Sequence, residues 1–248
     1  MIKVSNLRKS FEGVEVLRGV DLEIPTGKTT AIIGKSGAGK TVLFKHLVGL
    51  MRPDSGSIVV DGADIAALKG RALNNVKRKF GMVFQGGALF DSLTVFENVA
   101  LPLKELMRLS GGETASKVNA MLREVGLPGM GDKYPDEISG GMKKRVALAR
   151  ALVMSPEYLF FDEPTTGLDP IVETAIHALM KRCKSLSPAT YVLVSHDIRE
   201  VLEMSDLVAM LHEGAVIECS PPGEIVKSSN PAVRQFLSGS AEGPIQMY

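Results

Sequence analysis

Gly34-Lys35-Ser36-Gly37-Ala38-Gly39-Lys40-Thr41 fits the pattern G-x-x-x-x-G-K-[ST], a loop whose backbone N–H groups cradle phosphates. It follows the apolar run from Thr29 to Ile33 and precedes a helix-like stretch from Val42 to Leu50, the strand-then-helix setting that the pattern needs. Glycines at 34, 37 and 39 let successive amides converge on phosphate oxygens, and the following helix adds the positive end of its dipole. Lys40 then reaches the β- and γ-phosphates, the Thr41 hydroxyl ligates magnesium, and Lys35, Ser36 and Ala38 complete the cradle. The competing reading is a chance glycine-rich turn, which the flanking strand and helix disfavour. His46, on the same helix, reads as a packed or surface histidine rather than a ligand.

A second stretch, Ser139-Gly140-Gly141, stands at the mouth of another expected helix, Met142 to Met154. Met142, Val146, Ala149 and Val153 form its apolar stripe, with Lys143, Lys144 and Arg145 mostly off it. Ser139 is a natural N-cap, and the glycines allow close approach of a ligand oxygen. Alone, this tripeptide reads equally as an ordinary capped helix. Two anion-type sites with material for about one nucleotide-binding core suggest a nucleotide shared between two copies of the chain.

Tyr158 to Phe161 is continuously apolar, suited to a strand buried on both faces, and it ends in Asp162-Glu163. Successive side chains of a strand point to opposite faces, so the two carboxylates take different tasks. Asp162 is assigned to a metal, through water, and Glu163 to general base. Ser195-His196-Asp197 contains the residue types of a nucleophilic triad, but adjacent side chains diverge and cannot form its relay. His196, after the strand Tyr191 to Val194, reads instead as a γ-phosphate contact or polariser of the base. Gln85, ending the strand Phe80 to Phe84, is placed to reach magnesium or the attacking water, or else is a polar strand terminus. Phe11 either stacks on adenine or fills a hairpin core.

The 248 residues, 45% hydrophobic, suffice for a sizeable core. Net charge is +1 with both signs interspersed, so no basic footprint for nucleic acid or anionic lipid is evident. Two cysteines, Cys183 and Cys219, show no metal or disulfide spacing and fit a reducing cytoplasm. No window approaches the roughly 18 apolar residues of a membrane span, and the start lacks a signal-peptide pattern.

From Ile2 to Val60 short strands alternate with glycine and proline turns, among them Pro53 to Gly56. From Gly86 to Gly141 helix patterns such as Val95 to Met107 and Glu113 to Val125 are separated by Gly111-Gly112 and Gly126 to Gly131, as in a helical insert. A βα rhythm follows, through Ile171 to Cys183, Tyr191 to Val194, Ile198 to Met204 and Leu207 to Leu211. It predicts a parallel sheet covered by helices, with ligands beyond the carboxyl ends of the strands.

Gly34 to Thr41, Gln85, Ile138 to Met142, Tyr158 to Glu163, Gly167-Leu168-Asp169 and His196 resemble, in order and spacing, the motif set of an ABC-transporter ATPase subunit. The resemblance covers nearly the whole chain. It implies an α/β, P-loop NTPase fold of ABC type: a mixed central sheet with flanking helices, an N-terminal antiparallel β region, and a helical subdomain inserted after Gln85. The ATPase domain then spans 1–240, with core and β region at about 1–85 and 155–230, the helical subdomain at about 86–154, and a tail from 231 to 248 set on the neighbouring ATPase. The resemblance further implies binding and hydrolysis of ATP with Mg2+ by a head-to-tail homodimer. Ser139, Gly140 and Gly141 of one copy close on ATP held by Lys40 of the other, with Asp169 lining the interface. Met142 stands where the family usually has Gln; backbone amides and Ser139 supply most of those phosphate contacts.

Phe84 to Val99, the Met142 form of the signature, Val233 to Leu237 and Gly243-Pro244 look like the ATPases of the maintenance-of-lipid-asymmetry systems. Thr165 to Leu168 keeps the generic ABC form. The partners implied are a polytopic membrane permease, MCE-type lipid-binding proteins and a small accessory subunit, with phospholipid or a related hydrophobic cargo and a cytoplasmic place on the inner face of the cell membrane. The apolar stretch Leu89 to Leu103 is expected to be part core and part groove for a permease helix. The alternatives are an ABC ATPase for another cargo, or a soluble one acting on nucleic acid or ribosomes. The latter usually bring tandem units, a long coiled coil or a basic surface, and none of these features is in the sequence.

Overall fold

The structure, a computed structural model, describes residues 1–107, 109–186 and 188–246. In chain order its elements are β1 (Ile2–Phe11), β2 (Val14–Ile24), β3 (Thr29–Ile33), α1 (Lys40–Leu47), β4 (Ser55–Val60), β5 (Ala63–Asp64), α2 (Gly70–Lys77) and β6 (Phe80–Val83). Then come α3 (Val95–Leu106), α4 (Gly111–Glu124), α5 (Gly140–Leu152), β7 (Tyr158–Asp162), α6 (Pro170–Leu186), β8 (Thr190–Val194) and α7 (Ile198–Met204). The chain continues through β9 (Leu207–His212), β10 (Ala215–Ser220), α8 (Pro222–Ile225) and α9 (Pro231–Ser238). They fall into two compact units, Met1–Lys77 with Thr190–Tyr248, and Arg78–Ala189.

The first unit holds two sheets. One is antiparallel, in the order β2-β1-β4-β5. Its first hairpin turns through Glu12 and Gly13 at φ 49° and 82°, the doubly left-handed geometry that matches the twist of two paired strands. Leu17, Val20, Leu22 and Ile24 of β2 are buried, while the residues between them stay half-buried or exposed. In the other sheet β3 lies between β8 and β9, parallel to both, and β10 closes the edge antiparallel to β9. Every residue of β3 and β8 is buried, as expected of strands covered on both faces. Parallel and antiparallel pairing in one sheet agrees with the expected mixed topology.

In the second unit β6 and β7 pair in parallel beside helices α3 to α6. Val95, Val99 and Leu103 of α3 meet Val118 and Leu122 of α4 and Val146 and Ala149 of α5 in one apolar cluster. The core part of the expectation for Leu89 to Leu103 is thus α3, whereas Phe90 stays exposed. Capping boxes start α3 and α4, Thr94 with Glu97 and Ser110 with Glu113. Each is worth about 1 kcal/mol of helix stability. Because Ser110 caps α4, Gly111-Gly112 form its first turn and are not the break that the sequence suggests. No helix among the described residues is long and apolar enough to cross a membrane.

Candidate functional site

In the first unit β3 runs into the 34–39 loop, which turns into α1. Gly34, Gly37 and Gly39 have φ of 151°, 81° and 101°. A Cβ on Gly34 would strike the Leu211 carbonyl, and one on Gly39 would come within 3.2 Å of the Val16 carbonyl. Around Gly37 there is open space, so its backbone angle alone calls for glycine. Lys40 folds over the loop, its Nζ donating to the carbonyls of Gly34 (2.7 Å) and Lys35 (3.1 Å). Gly39 caps α1 without a side-chain hydrogen bond, and Lys35, Ser36 and Thr41 are exposed while Ala38 is half-buried.

His196 follows β8, and Ile32 is in register with Val194, so loop and histidine leave the same end of adjacent parallel strands. This is where ligands bind in parallel α/β sheets. No triad forms: Ser195 Oγ donates to Glu200 Oε2 at 2.6 Å, and Asp197 caps α7 by accepting from Glu200 N at 3.0 Å. Phe11, at the end of β1, is 41% exposed with Lys9 Nζ 5.4 Å from its ring centroid. It does not fill a hairpin core. His46 is buried, Nδ1 lying 2.7 Å from the Val42 carbonyl.

The second unit repeats the pattern: Val83 of β6 is in register with Phe161 of β7, so Gln85 and Asp162-Glu163 also leave the same end of adjacent parallel strands. Asp162 is buried at 8% exposure. Glu163 lies just past the strand at φ 51°, a left-handed angle that costs a non-glycine residue roughly 1–3 kcal/mol and recurs at functional sites. Its Oε2 accepts from Thr166 Oγ1 at 2.9 Å. The Gln85 side chain is exposed, and its carbonyl accepts from Lys144 Nζ.

Ser139 is the N-cap of α5, its Oγ accepting from Met142 N at 3.3 Å. Gly140 is open, but a Cβ on Gly141 would fall 2.5 Å from Val172 Cγ1. Gly141 is therefore required by packing within its own chain, not solely by a ligand. Asp169 caps α6, accepting from Ile171 N and Val172 N, each at 3.1 Å. Lys144, expected off the apolar stripe, is buried. Burial pushes its pKa below the ordinary lysine value, and the Glu163 carboxylate pulls it back up. Arg150, also lowered by burial, donates to the carbonyls of Gly87 and Ala88.

A glycine cradle with an ammonium folded over it suits a nucleoside triphosphate. Thr41 in the first unit and Asp162 in the second each offer a hard oxygen donor, the kind magnesium takes in small number while keeping phosphate oxygens and waters. Among the described residues no cluster of three His, Cys, Asp or Glu could hold a metal.

The ABC transporter family profile matches residues 17–166. MlaF of Haemophilus influenzae, an intermembrane phospholipid transport system ATP-binding protein, is 39% identical over 99% of this chain and 93% of its own length. The probable ribonucleotide transport ATP-binding protein mkl of Mycobacterium leprae is 39% identical over 99% of this chain and 71% of its own. The dimeric MJ0796 cassette, in a post-hydrolysis state bound to ADP and Pi, superposes with a TM-score of 0.82 at 31% identity, covering 90% of this chain and 99% of that one. The fold, the phosphate loop and these likenesses agree: the chain belongs to the ABC transporter family, as an ATP-binding and ATP-hydrolysing subunit.

Proposed function

We propose that two copies close head to tail on two Mg-ATP and so drive a membrane permease between access states. Gly34 to Thr41 bind the phosphates, and Phe11 stacks on adenine. Ser139, Gly140 and Gly141 contact the ATP of the partner copy, and Asp169 lines that interface. Magnesium, when bound, neutralises phosphate charge, with Thr41, Gln85 and Asp162 as its protein donors. Glu163 takes the proton of the attacking water, while His196 contacts the γ-phosphate and Gln85 senses it. Support comes from the motif order and from the dimeric cassettes that this chain resembles. Lys40→Ala then fails at nucleotide binding, which titration with a fluorescent ATP analogue reads directly.

The cargo we propose is phospholipid or a related hydrophobic molecule, moved by a polytopic permease with MCE-type proteins and an accessory subunit. The subunit would sit on the cytoplasmic face of the inner membrane, built as one ATPase domain over 1–240 and a tail that contacts its neighbour. The observation that carries this reading is likeness to MlaF along 93% of that protein's length. Equal identity to mkl favours a second reading, in which the cargo is a ribonucleotide. Purification with the native permease separates them: phospholipid stimulation of the reconstituted ATPase supports the first, and ribonucleotide stimulation with no lipid effect supports the second.

A further inference from the structure

The loop after Gln85 is tied to its own unit at both ends. From α5, Lys144 donates to the Gln85 carbonyl, and Arg150 donates to Gly87 O at 2.6 Å and Ala88 O at 2.7 Å. From α3, the buried Asn98 accepts from Phe90 N at 2.8 Å and donates to the carbonyls of Phe90, Leu93 and Thr94 at 3.0–3.1 Å. Arg150 and Asn98 would be enough to shape the loop. Lys144 stands apart because it is a buried ammonium, 8% exposed, whose electrostatic neighbour is the Glu163 carboxylate.

Removing an ammonium from water costs several kcal/mol unless it is paired and hydrogen-bonded, so an apolar side chain would serve packing at least as well. A lysine at this place has a use if its charge does something. It lies five residues after Ser139, on the helix whose N-terminus meets the partner's ATP in the function proposed above.

We infer that Lys144 is a positioning residue for hydrolysis: from the signature helix it fixes the backbone at Gln85, which leaves the same end of adjacent parallel strands as Glu163, so that this strand end is held in register with the ATP-contacting end of α5. Movement of α5 as ATP is clamped would carry Gln85 and the Glu163 surroundings with it. The inference rests on the assignment of Glu163 as base and Gln85 as γ-phosphate sensor. Lys144 itself touches no substrate in this account.

The test uses the full chain purified with its permease, comparing wild type, Lys144→Met, Lys144→Arg and Glu163→Gln. Misplaced catalytic groups cost about 10- to 100-fold, so Lys144→Met should lower kcat by that factor while KM for ATP and affinity for a fluorescent ATP analogue stay within about twofold. Lys144→Arg, which keeps the charge, should recover most of the loss, although the thermal midpoints of the two variants are alike. If Lys144→Met retains wild-type kcat while Glu163→Gln is inactive, the inference fails and the site reading stands. Equal impairment of the Arg and Met variants, or a kcat loss that tracks a lowered thermal midpoint, also overturns it. An active Glu163→Gln overturns the site reading beneath it.

Discussion

The Thr166 hydroxyl donates a 2.9 Å hydrogen bond to Oε2 of Glu163, a residue whose backbone is itself held at a left-handed φ of 51°. One carboxylate oxygen is thereby fixed by a neighbour three positions on. If Glu163 is the general base, Glu163→Gln should lower ATP turnover by about 10²- to 10⁴-fold and spare ATP binding. Thr166→Val removes only the tether. A neutral-to-charged hydrogen bond contributes about 1.5–3 kcal/mol, so turnover should fall by about 10- to 100-fold with KM little changed. Steady-state kinetics on both variants decide this, and full activity in Glu163→Gln would falsify the base assignment.

Gly140 and Gly141 are adjacent yet differ in what surrounds them. Gly141→Ala places a methyl against Val172 Cγ1 and should cost about 1–3 kcal/mol by overpacking. Val172→Ala in the same chain should return most of that stability. Gly140→Ala meets only Leu168 Cδ2 at 3.9 Å, so its thermal midpoint should hold while ATP hydrolysis drops if a phosphate must approach there. Denaturation midpoints and turnover for the three variants, set against wild type, separate packing from ligand approach. A stable Gly141→Ala chain would remove the packing explanation.

The setting of the phosphate-loop pattern could be read directly because its eight consecutive residues join a strand to a helix. The position of Asp162 and Glu163 was legible for a similar reason, as carboxylates at the end of a fully apolar strand. What escaped the sequence was long-range. Lys144 and Arg150 look like charges on a solvated helix face, and only folding shows them turned to the carbonyls of residues 85–88. Asn98 sits among apolar residues of α3 with no local signal for its four loop hydrogen bonds. Val172, thirty-one positions after Gly141, could not be foreseen as the atom that excludes a Cβ. The gap at Gly111-Gly112 was misplaced because the Ser110–Glu113 capping box starts the helix ahead of the two glycines, which occupy its first turn and not the interior, where their low propensity counts.

His46 lies buried in α1, directly behind the phosphate loop in sequence. Desolvation holds its pKa below the ordinary 6.5, only partly offset by the Val42 carbonyl beside Nδ1. Between that depressed value and 6.5 the unfolded chain binds a proton that the folded chain refuses, so unfolding free energy rises with pH there. This contribution is full above 6.5 and is lost as pH falls toward the folded-state value. Urea midpoints should therefore decline from about pH 7.5 to about pH 5, and His46→Gln should flatten that part of the decline. An unchanged slope in the variant would assign the acid sensitivity to other groups.

Gln235 on α9 binds the returning tail much as a neighbouring strand would. Its Oε1 accepts from Ile245 N at 2.7 Å, and its Nε2 donates to Ile245 O at 3.1 Å and Ser240 O at 3.3 Å. Beyond it, Lys35 of the phosphate loop donates to Gln246 O at 2.6 Å. The tail through Gln246 thus docks on its own unit, and Ile245 is buried there; Met247 and Tyr248 lie outside the described residues. Gln235→Leu leaves the Ile245 amide and carbonyl without these partners, a loss of about 1–3 kcal/mol, enough to release the segment. Gly243→Ala should do the same by a different route, because a Cβ there collides with the Gln235 side chain. Both variants should show faster hydrogen exchange at residues 240–246 and earlier proteolytic cleavage in the tail, with the thermal midpoint of the remaining chain little altered. Unchanged exchange in both would mean that Lys35 and the Ile245 pocket hold the tail without Gln235.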